Sequence, residues 1–307
     1  MDLRRLRLLR EVSARGTVHA AASALGYSPS AVSQQLSVLG REVGVPVFER
    51  HGRTLRLTDA GRVLVRHAEL LLAGVEDAEA ELASLHSGAP AGTVRVTGFQ
   101  SAMTALVPEA VRRLRTLAPG VRVEAREAEI QQSAKGLGAQ EVDVALGDEF
   151  SGIPAPVVAG ARRHDLLSER MNVVLPSRHP LAKAPEDGLL ERLAEVPWAA
   201  CSPGTGQYAM HLRLCRELGG FEPDTRYAAD NVATLIELVR GTGAFTLLSD
   251  LALHRPHAGV GHRVIEQPGT GRTVFVLTRR ATTPAVDVVV EVLKAVADDW
   301  HRGATRS

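Results

Sequence analysis

Ser30, Ser33, Gln34 and Ser37 recur three and four residues apart, so a helix would carry them on one side, with Arg41 one turn further on. Short hydroxyl and amide side chains donate and accept hydrogen bonds in fixed directions, which is the chemistry that reads base edges in the major groove. Val32, Leu36 and Leu39 fall mainly on the opposite side, where they can anchor the helix while the polar side stays in solvent. Further on, Arg50, Arg53 and Arg56 stand at every third position, and arginine pairs readily with phosphate. Base-reading groups beside phosphate-binding groups point to double-stranded DNA as a partner.

Such residues need elements to position them, and the flanking sequence supplies the signals. Leu3, Leu6, Leu9 and Val12, with Arg4, Arg7, Arg10 and Glu11 between them, predict an amphipathic helix ending at Gly16. Thr17 caps a second helix bearing Val18, Ala21, Ala22 and Leu25, and Gly26 stops it. Ser28 caps a third with Pro29 at its first position, where the missing N–H costs nothing. The order fits a helix-turn-helix, although a plain helical bundle with a polar surface fits the same pattern. Val47–Arg50 and Thr54–Thr58 then alternate around a turn at His51-Gly52-Arg53, as expected of a β-hairpin wing.

With 307 residues, the chain is long enough for at least two folded units. Its 45% hydrophobic and 23% charged residues are ordinary for a globular protein. A total of 36 basic against 35 acidic residues conceals an asymmetry: residues 1–67 hold eleven Arg and five Asp or Glu, a surplus of six, and the remainder is acidic by five. The basic front end again suggests an anionic partner. Charges interrupt the N-terminus before an apolar signal core could form, and no apolar run approaches membrane-spanning length, so a cytoplasmic location without membrane contact is expected. Cys201 and Cys215 are too few for a disulfide scaffold and lack zinc-site spacing.

From Thr58 to about Ser87 a helical rhythm runs without Pro, long enough for coiled-coil pairing or for packing on its own domain. Gly88-Ala89-Pro90-Ala91-Gly92 reads as a hinge. Beyond it, strands are expected at Thr93–Gly98, Val121–Glu127, Val142–Leu146 and Met171–Leu175, and helices at Leu106–Leu117, Tyr208–Leu218, Val232–Arg240 and Ala285–Trp300. This is an α/β texture of βαβ units and mostly parallel sheet, in which ligands bind beyond the carboxyl ends of strands. Three loops qualify: Phe99-Gln100-Ser101, Ser202 to Gly206, and Gly241-Thr242-Gly243. Each is equally readable as an ordinary helix-capping turn. No dinucleotide fingerprint, P-loop, nucleophile elbow or paired-His zinc helix occurs, so neither cofactor nor catalysis is expected. His254, His257 and His262 lack ligand partners at metal spacing and fit a solvated loop.

The segments Thr17 to Leu25, Ser28 to Leu36, Phe48-Glu49-Arg50 and Leu57-Thr58-Asp59-Ala60-Gly61, in this order and spacing, resemble the LysR-type transcriptional regulators. The match continues through His179-Pro180-Leu181-Ala182 and Leu238 to Gly243. Departures are Pro29 where Gln is usual, Ser30 where Pro is usual, Gln34 where Arg is frequent, and Ser249 where Pro is frequent.

The resemblance implies a winged helix-turn-helix over 1–58, a dimerising linker helix over 59–87, a hinge over 88–92 and an effector domain over 93–307. It likens that domain to periplasmic binding proteins, with one α/β subdomain over about 93–164 and 268–302 and the other over 165–267. Carried over by position, Ser30, Ser33 and Gln34 face bases, with Ser37 on the same helix, and Ser28, Arg50 and Arg53 lie nearer the DNA backbone. Gln100, Ser101, Ser202 and Thr205 become the candidate contacts for a small-molecule effector. The expected partners are a dyad-like operator, a second copy or three further copies of the chain, and, for an activator, RNA polymerase. Two other readings stay open: a two-cysteine redox sensor using Cys201 and Cys215, and a solute-binding protein with an incidental helical head.

Overall fold

Asp2, Thr17 and Ser28 each turn a side-chain oxygen onto a backbone N–H two or three residues on, at 2.8, 3.1 and 3.2 Å. Caps of this kind are worth about 1 kcal/mol each, and they start α1 (Leu3–Arg15), α2 (Val18–Leu25) and α3 (Pro29–Val43). At the turn between α2 and α3 the chain takes φ +70° at Gly26, a conformation glycine adopts without a Cβ penalty. The computed structural model describes all residues except 52, 53, 88, 184–190, 266 and 305–307. Two compact units result, Met1–Gly88 and Ala89–Ser307.

In the first unit, Leu6, Leu9 and Val12 of α1 meet Ala21 and Ala22 of α2 and Val32, Leu36 and Leu39 of α3 in one buried core. The hairpin follows as β1 (Phe48–His51) and β2 (Thr54–Leu57), antiparallel with Phe48 opposite Leu57. His51 pairs with Thr54, so it belongs to the strand rather than to the expected turn. The long helix α4 runs Asp59–Ser87. Its inner side, Val65, Ala68 and Leu72, is buried in the same core, while Val63, Leu71 and Leu82 stay 47, 47 and 66% exposed. It therefore packs on its own unit and still presents apolar side chains outward.

The Thr58-Asp59-Ala60-Gly61 corner fixes α4 to the wing. The Thr58 hydroxyl donates to the Pro46 carbonyl at 2.7 Å and accepts from the Gly61 N–H at 3.0 Å. A Cβ at residue 61 would lie 2.1 Å from the Val47 carbonyl oxygen, so only glycine lets the helix start this close.

The second unit has two lobes. In the first, β3 (Ala91–Gly98), β4 (Gly120–Glu127), β5 (Val144–Phe150), β6 (Ala161–Glu169) and β12 (Arg272–Arg279) form a sheet in the order β4-β3-β5-β12-β6. Around it pack α5 (Gln100–Ala105), α6 (Val107–Leu117), α7 (Ile130–Gly138) and α10 (Pro284–Ala304). The second lobe contains β7 (Met171–Pro176), β8 (Pro197–Ala200), β9 (Asp224–Ala228), β10 (Thr246–Ser249) and β11 (Val260–Val264), with α8 (Gly206–Arg213), continued by a π turn, and α9 (Val232–Thr242). Trp198 and Phe245 are fully buried at its centre.

Three sequence expectations need correction. The sheets are mixed rather than mostly parallel: β3 is parallel to β4 and β5, but β12 is antiparallel to β5 and β6, and β7 is antiparallel to β10 and β11. The reason is connectivity, because β12 returns from the second lobe and begins at the end of the sheet where its neighbours finish. For the same reason the first lobe extends past residue 164, with Glu169 still paired to Arg272. Ala91 and Gly92, expected in the hinge, already pair with Gly120 and Val121.

Candidate functional site

On α3 the structure places Ser30, Ser33, Gln34 and Ser37 on the exposed side, with Val32, Leu36 and Leu39 buried behind them. Ser28 is committed to the helix N-terminus, where its hydroxyl accepts from the Ala31 N–H and lies 3.0 Å from the Ser30 hydroxyl. Ser37 donates to the Ser33 carbonyl at 2.9 Å, so its own oxygen is left to accept. The adjacent glutamines divide their tasks. Gln35 is half-buried and accepts from Arg5 of α1 at 2.9 Å, whereas Gln34 is exposed. Arg5 also pairs with Glu42, so α1 holds α3 through polar as well as apolar contacts. Arg50 lies on β1 opposite Leu55; its side chain, and the whole of Arg53, fall outside the described residues.

The second site lies between the lobes of the C-terminal unit. A cavity of about 60 Å³, enough for a few waters, is bounded by the loop ends of β3 and β5 on one side and by the starts of α8 and α9 on the other. Of the sequence candidates, Gln100, Ser101 and Thr205 line it and Ser202 does not. Gln100 crosses between the lobes, its side-chain carbonyl accepting from the Val232 N–H at 2.8 Å at the start of α9. Thr205 caps α8 through the Tyr208 N–H at 3.1 Å. Ser202 instead donates its N–H and hydroxyl to Asp230, at 2.7 and 2.9 Å, and so orients an acid that does line the cavity.

The centre of the cleft is Arg272, which sequence reasoning did not single out. At 4% exposed it donates to Glu169 at 2.7 Å, Asp148 at 3.0 Å, Ser101 at 3.0 Å and Ser249 at 2.7 Å. Its guanidinium also lies over the Phe99 ring, 4.8 Å from the centroid. Burial works against its charge, but Glu169 and Asp148 outweigh that and hold its pKa above the ordinary value. Burial pushes the Glu169 and Asp148 carboxyls up, and Arg272 only partly offsets the rise. Ser249 now has a physical role: its hydroxyl accepts from Arg272, which proline at that position could not do. The signal for this network was a charged residue at the end of an apolar strand, Arg272 before Val274-Phe275-Val276-Leu277.

Both thiols are poorly suited to redox chemistry. Cys201 is 8% exposed and Cys215 fully buried, in separate apolar clusters. Burial pushes each up to about 12, so neither forms the reactive thiolate near neutral pH. Among the described residues no three His, Cys, Asp or Glu side chains converge as metal ligands. His254 and His257 are half-buried and His262 lies on β11, so the solvated loop expected for them is only partly realised.

Comparison with known proteins places both units. The model of the bacterial regulatory helix-turn-helix protein, lysR family, matches residues 3–62, and that of the LysR substrate binding domain matches 87–298. A probable RuBisCO transcriptional regulator of Synechocystis is 30% identical over 59% of this chain and 52% of its own length. The HTH-type transcriptional regulator CbbR of Xanthobacter flavus is 30% identical over 72% of this chain and 64% of its own. The chain thus spans between about half and two thirds of these relatives. The crystal structure of full-length CbnR complexed with target DNA superposes with a TM-score of 0.74 at 19% identity, covering 96% of this chain and 100% of CbnR. With family models accounting for both the helical head and the cleft-bearing unit, the chain belongs to the LysR family.

Proposed function

We propose that the chain is a DNA-binding transcriptional regulator whose hold on its operator changes when a small molecule occupies the inter-lobe cleft. The observation that carries this reading is the α3 face: hydrogen-bonding side chains stand exposed on a helix whose other side is locked into a core, beside a wing in an arginine-rich unit. In this reading Ser30, Ser33 and Gln34 read bases from the major groove, Ser37 extends the same face, and Ser28, Arg50 and Arg53 hold phosphates. The exposed apolar residues of α4, Val63, Leu71 and Leu82, pair two copies, so that the operator has a dyad and two half-sites. Activation, where it occurs, adds a contact to RNA polymerase. No catalytic step is assigned to any residue. The CbnR complex with DNA supports the fold of the head and leaves the DNA partner of this chain to experiment.

Effector control requires that a ligand bind one arrangement of the lobes better than another, since equal affinity shifts nothing. Gln100 and Arg272 make the cross-lobe contacts that such a ligand would compete with or reinforce.

The test is a pair of substitutions read on operator and random DNA at several salt concentrations. Gln34→Ala is expected to erode the preference for operator while keeping the salt slope. Arg53→Ala is expected to weaken both DNAs alike and to reduce the slope by about one. Equal losses from both changes, or DNA binding that survives deletion of residues 1–60, would refute the assignment and favour a solute-binding protein with an incidental head.

A further inference from the structure

The cleft is charged against anions. Of the side chains lining the cavity, Glu129, Asp148 and Asp230 are acidic and only Arg272 is basic. Arg272 is already matched by Asp148 and by Glu169 behind it, and four of its N–H bonds point at acceptors of the same chain. Glu129 and Asp230 have no cationic partner among the described residues. Of the helix starts at the cavity, those of α8 and α9 are capped from within, Gln100 taking the Val232 N–H, Asn231 the Thr234 N–H and Thr205 the Tyr208 N–H, while those of α5 and α7 carry no side-chain cap. The Glu129 carboxyl registers this field: exposed overall, it is still pushed up by partial desolvation and then by Asp148 and Asp230.

Resting on the reading of this cavity as the effector site, the geometry points to a small organic cation, an alkylammonium or alkylguanidinium, as the effector, its nitrogen held between Glu129 and Asp230. An ammonium supplies three donors and a guanidinium five, and neither carboxylate has a basic side chain to compete for it. The walls suit the rest of such a molecule, because Phe150, Met171, Leu235 and Ala252 offer apolar surface to a short stem. The Cys201 thiol, 8% exposed, also opens onto the cavity and has no hydrogen-bond partner among the described residues. A metal ion is a poorer occupant, since no three ligating side chains converge there among the described residues. Glu129 and Asp230 are themselves exposed, so the charged head sits toward the mouth and the cavity of about 60 Å³ admits only a short stem.

The experiment is calorimetric titration of the full chain with matched probes, propylammonium against butyrate and putrescine against adipate. The cations are expected to bind and the anions not. Glu129→Gln should weaken the cations about tenfold, the effect of one lost charge at close range, with Asp230→Asn as a second variant. Filling the cavity by Ala252→Trp, or by the milder Ala252→Leu should the first fail to fold, should abolish binding. Anions that bind and are excluded by the filled cavity would overturn the cation assignment and leave the cleft as the effector site. Cations whose binding ignores both Glu129→Gln and the filled cavity would overturn the two readings together. No binding by either series at millimolar concentration would overturn the cation assignment.

Discussion

Replacing Arg272 by Met tests how much the buried charge network stabilises the C-terminal unit. Met keeps much of the side-chain volume, so the change removes charge and hydrogen bonds rather than packing. It leaves Glu169, whose side chain is fully buried, and Asp148, 17% exposed, without their cation. Breaking one partner out of a buried pair costs about 3–5 kcal/mol, and with two carboxylates stranded the upper part of that range is expected. The assay is urea unfolding followed by the fluorescence of Trp198, which is fully buried in the second lobe. Glu169→Gln in the Arg272→Met background should recover a large part of the loss, giving a coupling of about 1–3 kcal/mol between the two sites. The pH dependence has a fixed sign. In Arg272→Met the folded-state carboxyl pKa values rise further above their unfolded values, so stability is greatest at low pH and is lost as pH rises through the raised values. An Arg272→Met protein within about 1 kcal/mol of the parent, or simple additivity in the double variant, would refute the claim that this network stabilises the unit.

Three further outcomes follow from single features. Gly61→Ala should destabilise the helical head by about 1–3 kcal/mol through overpacking, because its Cβ would meet the Val47 carbonyl at 2.1 Å; an unchanged melting curve of the head would count against the close approach. His211 is buried against Trp198, and burial lowers its pKa from 6.5 to about 4. Its unfolded form therefore binds protons first, and stability should fall by about 3 kcal/mol as pH drops from about 6.5 to about 4, a slope that His211→Phe should remove. Leu71→Asp combined with Leu82→Asp should shift the proposed dimer toward monomer in analytical ultracentrifugation, and self-association indifferent to both would place the contact elsewhere.

The head was legible in the sequence because its signals are local. Thr17, Ser28, Pro29 and Gly26 each act on backbone within three residues, so the helix limits and the side of α3 that faces outward could be read from spacing alone. The cleft was only half legible. The loops carrying Gln100, Ser101 and Thr205 stood out as helix starts after strands, and these three residues line the cavity. Arg272 did not stand out, because its partners Glu169 and Asp148 lie 103 and 124 residues away in the chain. Only the antiparallel registers of β12 against β6 and β5 bring them together. Ser202 was misplaced for the opposite reason: its position after a strand suggested a ligand contact, but the nearby Asp230 takes both of its donors.

The corner at Thr58 and Gly61 makes the wing and α4 a single lever. Its arm is the 29-residue helix, about 43 Å long at 1.5 Å per residue. Since the wing cannot swivel on the helix without breaking the Thr58 bonds, tilting the far end tilts the wing end with it. A tilt of about ten degrees would displace that end by about 7 Å, close to the rise of two base pairs. On the proposed two-half-site operator, a modest change at the distal end would thus be enough to move a head out of step.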